Sequence, residues 1–354
     1  MLVDYIIVGQ GICGTWLSYY LLKENKTVIV IDKHDPQSAS NVSSGLINPV
    51  TGRRVVTTWM AEELLPLVWN EYNELGELLN EKIIDQKNIL VFPSAPDLQQ
   101  AFNERMKENN SFIQIPSLKK DELRNNFNFP FDVFEISPCY VVHMRKLLQA
   151  YRSYLKQQNI LLEEIFDEEL LAVGKANVQY KNIEAKKIIY AGGVYSSQSK
   201  HWIKLPFVQN KGQALIIETH GLNALHVYKF GHLTLIPLYE NYWWVGSSNE
   251  LRFETTAPTE DFKTGTIASL KSILKIPFTL KEHYSSLRPA TVERRPFVGL
   301  HPLNDTIGIL NGMGSKGCSL APWFAKEFTE NLVYNKPINA LADVQRFARM
   351  LGKE

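Results

Sequence analysis

The spacing of apolar residues changes within the first 32 positions of the chain, from a continuous run to a helical period and back. An apolar run at residues 2–8 leads directly into Gly9, and a second run at residues 27–31 ends on Asp32. Between the two runs, apolar side chains recur every three or four residues, which predicts a helix with one buried face. The pattern therefore predicts a strand, a glycine turn, a helix and a second strand that ends on an acidic residue.

The same two spacings predict elements over the rest of the chain. Helices are predicted at residues 61–79, 97–107, 144–156, 262–274 and 322–333, and strands at residues 187–190, 213–218, 227–230, 233–238, 242–246 and 306–310. Pro322 is expected in the first turn of the last helix, where a missing backbone N–H is tolerated. The adjacent strands between residues 213 and 246, with a hairpin tip at residues 239–241, predict a mostly antiparallel sheet beside the α/β unit.

Composition restricts the class of protein further. The chain has 354 residues, of which 45% are apolar, and its formal net charge is +1, so it gives no overall attraction to nucleic acid or to an anionic membrane. Its three cysteines form no CxxC pair, and its eight histidines show no metal-ligand spacing. No apolar run is long enough to span a bilayer, and we identify no secretion signal. We therefore expect a cytoplasmic protein without a metal site.

The first turn has the glycine spacing of a dinucleotide-binding site. Gly9 permits the tight turn out of the strand, Gly11 lets the backbone approach a pyrophosphate, and Gly14 lets the helix pack on the sheet. The start of the helix offers free N–H groups and the positive end of its dipole to phosphate. Asp32 is placed to accept hydrogen bonds from ribose hydroxyls and would repel a 2′-phosphate, so a dinucleotide other than NADP is predicted.

Several sequence landmarks follow one another in the order found in a known superfamily. They are Gly9-x-Gly-x-x-Gly14; Ser43-Ser-Gly-Leu-Ile-Asn-Pro49; Ile189-Tyr-Ala-Gly-Gly193; Lys211-Gly-Gln213; Leu287-Arg-Pro289 with Arg295-Pro-Phe-Val-Gly299; and Gly312-x-Gly-x-Lys-Gly317. With these landmarks the chain resembles the FAD-dependent D-amino-acid oxidase superfamily, which includes glycine oxidase and sarcosine oxidase. The last landmark and the residues after it are also similar to the oxidase domain of the enzyme that trims carboxymethylaminomethyl-uridine at the tRNA wobble position.

The resemblance implies an α/β protein with a Rossmann-type FAD-binding fold and a mostly antiparallel α+β substrate domain. The FAD-binding domain is expected to be discontinuous, over residues 1–75, 140–205 and 286–354, because the glycine turns near both ends of the chain would meet on one ligand. The substrate domain is expected over residues 76–139 and 206–285. FAD, and not NAD, is the expected cofactor.

The resemblance also implies cofactor contacts for residues of this sequence. The expected FAD-binding residues are Gly9, Gly11, Ile12, Cys13, Gly14, Asp32, Lys33, Ser43, Ser44, Gly45, Ile47, Asn48, Ala191, Gly192, Gly193, Gly312, Met313, Gly314, Ser315, Lys316 and Gly317. The residues up to position 33 are expected to hold the pyrophosphate and the ribose, and those from position 43 the pyrophosphate and the flavin. The residues near position 192 are expected on the adenine side, and the last group at the flavin pyrimidine.

Arg288 and Lys316 are the cations expected to act on the substrate as catalytic residues, by similarity to the carboxylate-binding groups of amino-acid and sarcosine oxidases. An arginine can bind a carboxylate through two parallel hydrogen bonds, which fixes its orientation. Tyr242 and Trp244 are expected to bind the substrate, or else to be core residues of a strand. The alternative role for Arg288 is a surface ion pair with Glu293, and that for Lys316 is a solvated contact near its loop.

These expectations favour an FAD-dependent enzyme that oxidises the C–N bond of a small amine or amino acid, of the glycine or sarcosine type, by hydride transfer to the flavin. The alternative is a tRNA-modifying oxidase that removes an N-linked carboxymethyl group from wobble uridine. The balanced net charge argues against a nucleic-acid partner without excluding one, since basic patches can be local. A flavoprotein without enzymatic activity is the third alternative.

Overall fold

Two large sheets organise residues 1–108 and 110–352, which are the residues that the computed structural model describes. The strands of the first sheet are, in chain order, Leu2–Val8, Val28–Ile31, Leu161–Leu162, Leu171–Val173, Val178–Tyr180, Ile183–Tyr190, Phe297–His301 and Asn304–Asn311. Five of them lie side by side and run parallel, in the spatial order Leu161–Leu162, Val28–Ile31, Leu2–Val8, Ile183–Tyr190 and Asn304–Asn311. This parallel centre places five strand ends at one edge of the sheet.

The first sheet is covered on both faces, which explains why its strands are continuous apolar runs. Along the second strand, Val28 and Val30 pack into one core cluster, whereas Ile29 and Ile31 pack into another on the opposite face. The cluster with the two valines also contains Trp16 from the first helix, so that helix packs on this face of the sheet.

The second sheet is mostly antiparallel. In spatial order its strands are Thr279–Thr291, Phe207–Glu218, Tyr242–Gly246, Leu233–Pro237, Val227–Phe230, Ile89–Phe92, Phe134–Ile136 and Ile113–Gln114. One pair, Val227–Phe230 with Ile89–Phe92, is parallel. The predicted α/β fold with a mostly antiparallel second sheet is confirmed.

Helices and small sheets complete the described chain. The α-helices are Ile12–Lys23, Ala39–Val42, Ala61–Leu79, Pro96–Lys107, Lys120–Asn126, Met144–Gln157, Glu260–Ile273, Gly317–Tyr334 and Ala348–Leu351. The 3-10 helices are Glu168–Leu170, Gly193–Gln198, Gly314–Lys316 and Val344–Phe347. The small sheets join Leu46–Ile47, Tyr140–Val142 and Ile84–Gln86, and Val50–Thr51 with Val56–Thr57. Within the described ranges, none of these helices combines the length and apolarity that crossing a membrane requires.

The predicted position of Pro322 in a first helical turn is wrong. The helix starts at Gly317, so Pro322 lies inside it and cannot donate a backbone hydrogen bond to the carbonyl of Cys318 four residues earlier. The hydroxyl of Tyr72 donates to that carbonyl instead, at 2.9 Å. A side chain from a distant helix therefore satisfies the acceptor that the proline leaves free.

The predicted domain boundaries stay a prediction. The strand Thr279–Thr291 lies wholly in the second sheet and runs past the boundary predicted between residues 285 and 286. Arg288 therefore lies on a strand of the second sheet and faces the first sheet from there.

Candidate active site

A cleft with a volume of about 890 Å³ lies between the two large sheets. Four of the five parallel strands of the first sheet end in it, at Val8, Ile31, Tyr190 and Asn311. The carboxyl edge of a parallel sheet commonly binds ligands, because turns and helix N-termini converge there. The opposite wall of the cleft belongs to the second sheet, from which Gly212, Trp244 and Arg288 contribute.

The cleft brings together most of the predicted site residues. Those that line it are Gly9, Gly11, Ile12, Cys13, Asp32, Lys33, Ser43, Ser44, Ala191, Gly192, Gly193, Trp244, Arg288, Met313, Gly314, Ser315 and Gly317. The predicted residues that do not line it are Gly14, Gly45, Ile47, Asn48, Tyr242, Gly312 and Lys316. Glycine turns from the two ends of the chain thus face a single cleft, and the roles of these residues toward a ligand stay predictions.

Two of the glycine turns touch each other at the edge of the first sheet. A Cβ added to Gly9 would lie 2.7 Å from the Cα of Gly192 and 2.9 Å from the carbonyl oxygen of Ala191. Gly9 also has a φ of +99°, which L side chains rarely adopt. A Cβ on Gly14 would lie 1.8 Å from the carbonyl oxygen of Gly9. Gly14 therefore serves helix packing, as predicted from its spacing, while Gly9 and Gly192 bring two turns into contact.

Two helices begin at the same part of the cleft. Their N-cap residues, Gly11 and Lys316, make no side-chain hydrogen bond to the helix. A Cβ on Gly317 would lie 3.3 Å from Cγ2 of Ile12, so the two helix starts are neighbours. Ser40, which was not predicted, accepts a hydrogen bond from the Ile12 N–H at 3.1 Å. The helix N–H groups that lack an intrahelical acceptor, together with the two dipole ends, favour an anion here.

Asp32 is held by three groups that periodicity did not identify as partners. Its Oδ2 accepts a hydrogen bond from the backbone N–H of Gln10 at 2.8 Å. Its Oδ1 accepts one from Nη1 of Arg152 at 2.8 Å and one from the backbone N–H of His34 at 2.7 Å. Arg152 is buried and also binds Glu163 at 2.9 Å. Carboxylate oxygens have about four acceptor sites in all, so Asp32 retains acceptor capacity toward the cleft.

Arg288 is fixed by three hydrogen bonds on the wall opposite the glycine turns. Nη1 donates to Oδ1 of Asn210 at 2.7 Å and to the carbonyl of Ser248 at 3.2 Å, and Nη2 donates to Oγ of Ser247 at 3.0 Å. A guanidinium has five N–H donors, so two remain uncommitted. A Cβ at position 212 would lie 2.0 Å from Nη2, which means that Gly212 provides the space for this side chain.

The ion pair proposed as the alternative role of Arg288 is wrong. Glu293 pairs with Arg346 at 3.2 Å instead. Within residues 1–108 and 110–352, no carboxylate lies within 4.0 Å of the Arg288 guanidinium. Burial lowers the pKa of Arg288 and the charge of Glu250 opposes that effect. The guanidinium is therefore a partly buried cation without a close counter-ion in the described chain.

Trp244 and Tyr242, although near neighbours on one strand, have different surroundings. Trp244 lines the cleft, and its indole N–H donates to the carbonyl of Val42 at 3.1 Å. This bond connects the second sheet to the segment that carries Ser43 and Ser44. Tyr242 lies outside the cleft and stacks on Tyr239, with ring centroids 4.9 Å apart.

Lys316 lies in the turn beside the cleft, between two residues that line it. Burial lowers the pKa of its ammonium from 10.5 to about 8. The ammonium makes no hydrogen bond or ion pair with the described residues. It is therefore a desolvated cation that an anion beside the turn would stabilise.

Replacing Lys316 with Met is expected to stabilise the folded protein at neutral pH. Folding lowers the pKa of Lys316 to about 8, so the folded state disfavours the charged ammonium. The resulting cost in folding free energy is fully present below pH 8 and is lost as the pH rises to 10.5. We expect the free energy of unfolding, measured with urea in the absence of ligand, to rise by about 1–3 kcal/mol at neutral pH. A gain that persists above pH 10.5, or no gain at all, would contradict this interpretation.

Comparisons with known proteins agree with this arrangement. Residues 4–331 match the family described as FAD dependent oxidoreductase. The chain is 22% identical to glycine oxidase from Bacillus licheniformis over 362 residues, which covers 95% of this chain and 94% of that relative.

Solved structures show the same fold. The crystal structure of glycine oxidase from Bacillus cereus has a TM-score of 0.80 at 15% identity and covers 95% of this chain and 96% of its own. Iminodiacetate oxidase from Chelativorans has a TM-score of 0.76 at 17% identity, with 95% and 97% covered. At identities this low, structural similarity establishes the fold alone. The match to the family over residues 4–331 establishes the class of protein.

Proposed function

This chain belongs to the FAD-dependent oxidoreductase family of enzymes, and we propose that it oxidises the C–N bond of a small amino acid of the glycine or N-alkylglycine type. One observation carries the proposal: Arg288 faces the cleft with two uncommitted N–H groups and no close carboxylate in the described residues. A planar fork of this kind fits a carboxylate, through two parallel charge-assisted hydrogen bonds. A substrate carboxylate is therefore expected on the wall opposite the glycine turns.

The cleft suits FAD in its shape and in its polar groups. The contact between Gly9 and Gly192 leaves backbone exposed where a pyrophosphate would lie, next to the N–H groups of Gly11 and Ile12. Asp32 would hold the ribose. The turn at residues 313–317 would border the flavin, with its helix dipole directed at the pyrimidine. When bound, FAD supplies an acceptor for a hydride equivalent.

The side chains of this enzyme orient the substrate and stabilise charge. Arg288 fixes the carboxylate, so that the adjacent carbon and nitrogen face the first sheet at a defined distance. The helix start at Gly317 would stabilise the negative charge that develops on the acceptor of the hydride equivalent, while the substrate carbon becomes more positive. The substrate loses two electrons and two protons overall and becomes an imine, which water hydrolyses. Binding the neutral amine removes the need for a general base.

We also propose a cytoplasmic location. Cys13, Cys139 and Cys318 are free thiols and all are buried. A small secreted domain would use cysteines as a disulfide framework, whereas a reducing compartment keeps them as thiols.

The direct test is anaerobic loss of flavin absorbance. The purified protein, loaded with FAD, is expected to bleach on addition of N-methylglycine and to stay yellow with dimethylamine, which is the same amine without the carboxylate. A protein that cannot bind FAD would contradict the proposal. Bleaching only by RNA that carries carboxymethylaminomethyl-uridine would favour the wobble-uridine alternative.

A further inference from the structure

We propose that Arg152 is a positioning residue for the cofactor: it fixes the Asp32 carboxylate so that one carboxylate oxygen stays free for the ribose hydroxyls of FAD. This inference rests on the proposed function, since it concerns the ribose end of the same cleft. Arg152 lies on the helix Met144–Gln157, far outside residues 2–32, which carry the first glycine turn and Asp32. A separate part of the chain therefore supports the nucleotide site.

The guanidinium of Arg152 has no N–H group left for a ligand. Nε donates to Oε1 of Glu163 at 3.3 Å, and Nη2 donates to the same oxygen at 2.9 Å and to the carbonyl of Asp32 at 3.1 Å. Nη1 donates to Oδ1 of Asp32 at 2.8 Å and to Oε1 of Gln10 at 3.2 Å. These bonds use all of the guanidinium donors. The side chain is 9% exposed and is not among the described residues that line the cleft, so Arg152 acts on a ligand only through its partners.

Two of these partners are joined to each other at the edge of the first sheet. Gln10 lies inside the first glycine turn, and its backbone N–H donates to Oδ2 of Asp32 at 2.8 Å. The side-chain amide of Gln10 donates to the carbonyl of Leu148 at 3.1 Å, while its oxygen accepts from Arg152. Arg152 therefore ties the glycine turn to the acidic end of the neighbouring strand.

The hydrogen bonds of Asp32 leave a free acceptor site on one oxygen. Oδ1 accepts from Arg152 and from the backbone N–H of His34 at 2.7 Å, which fills its acceptor sites. Within the described chain, Oδ2 accepts only from Gln10, so it keeps one site. Because Asp32 lines the cleft, Oδ2 is the oxygen that would accept from a ribose hydroxyl. Without Arg152, both oxygens would have a free site and the carboxylate would be held less firmly.

The charges around Arg152 are balanced. Arg152 bridges the carboxylates of Asp32 and Glu163, at 2.8 and 2.9 Å, and Lys156 binds Glu163 at 2.8 Å. Two cations therefore face two carboxylates, and Asp32 needs no cation from the ligand. Arg288 differs in both respects, since it has uncommitted N–H groups and no close carboxylate in the described residues. Arg288 suits an anionic ligand group, whereas Arg152 prepares Asp32 for neutral hydroxyls.

The experiment measures binding of ADP to the full chain without FAD, by calorimetry, for the wild type, Arg152→Met, Asp32→Ala and the double variant. We expect Asp32→Ala to raise the Kd of ADP about 10-fold or more, since hydrogen bonds to a charged group are lost. Arg152→Met should raise it about 5-fold in the wild-type background and less than about 2-fold in the Asp32→Ala background, because Arg152 acts through Asp32. Equal losses in both backgrounds would overturn the inference, because Arg152 would then only support the fold.

2′,3′-Dideoxy-ADP, which lacks both ribose hydroxyls, gives a second readout. The wild type should bind it about 10-fold more weakly than ADP, and Arg152→Met should reduce this ratio by about 3-fold or more. A merely structural role would weaken both nucleotides equally and leave the ratio unchanged. Should Arg152→Met not fold, Arg152→Lys replaces it: a lysine keeps the charge without the planar fork, so its ratio should also fall below that of the wild type. A wild-type ratio in Arg152→Lys would then overturn the inference.

Arg346→Met is the matched control, because Arg346 is also a partly buried arginine that pairs with a carboxylate, and it lies outside the cleft lining. It should leave the Kd of ADP and the ratio unchanged. If no amine bleaches the flavin but the ADP results follow the expected pattern, the oxidation of an amine fails and the role of Arg152 stands. If N-methylglycine bleaches the flavin but Arg152→Met binds ADP like the wild type, the role of Arg152 fails alone. A wild type that binds no ADP would contradict both.

Discussion

Replacing Arg288 with Met should raise the KM for N-methylglycine by about 100-fold, since the variant loses two charge-assisted hydrogen bonds to the carboxylate. The kcat should fall as well, because a substrate that is not clamped spends less time in a reactive orientation. Steady-state kinetics of the FAD-loaded variant measure both constants. FAD affinity should not change, because Arg288 lies on the wall opposite the glycine turns.

Two further variants make this test specific. Arg288→Lys keeps the positive charge but loses the planar fork, so its KM should lie between those of the wild type and Arg288→Met. Arg346→Met removes the arginine that pairs with Glu293 and lies outside the cleft lining, so its KM should equal that of the wild type. An unchanged KM in Arg288→Met would remove the carboxylate clamp from the mechanism.

A single methyl group on Gly9 should weaken FAD binding by about 100-fold or more. In Gly9→Ala, the new Cβ would lie 2.7 Å from the backbone of Gly192, so the two turns must separate, and a φ of +99° adds strain to the same place. The displaced backbone is the part that should approach the pyrophosphate. Titration of the protein with FAD, followed by quenching of flavin fluorescence, measures the loss.

Gly265→Ala provides the matched control. Gly265 lies in the helix Glu260–Ile273, and a Cβ there meets nothing within 4 Å. The substitution should leave FAD affinity unchanged and stabilise the protein by up to about 1 kcal/mol, since alanine favours a helix over glycine. Wild-type FAD affinity in Gly9→Ala would show that the contact between the two turns does not shape the cofactor site.

Elements with strong periodicity could be predicted from the sequence almost to the residue. The helix Ala61–Leu79 and the strands Val227–Phe230 and Tyr242–Gly246 have the predicted bounds. In these segments the burial pattern of the chain and the local spacing of apolar residues agree. The start of the helix Gly317–Tyr334 was missed, because a proline normally indicates a first turn. The hydroxyl of Tyr72, far away in sequence, makes the interior proline acceptable.

The glycine turns could be predicted as a group, whereas the partners of the polar residues could not. Spacing predicted a nucleotide-binding turn at Gly9, and the family resemblance predicted the same for Gly192 and the last turn, since each landmark is local. Arg152 pairs with Asp32 across 120 positions, and no local pattern encodes such a partner. A signal was present nonetheless, because Arg152 lies on the apolar face of its helix, four residues after Leu148.

A crystal structure of the FAD-loaded protein with acetate tests the central claim most directly, since that claim is geometric. We predict the pyrophosphate at the start of the helix Ile12–Lys23, the flavin beside residues 313–317, and the acetate on the two free N–H groups of Arg288. FAD bound outside the cleft, or acetate bound away from Arg288, would contradict the account.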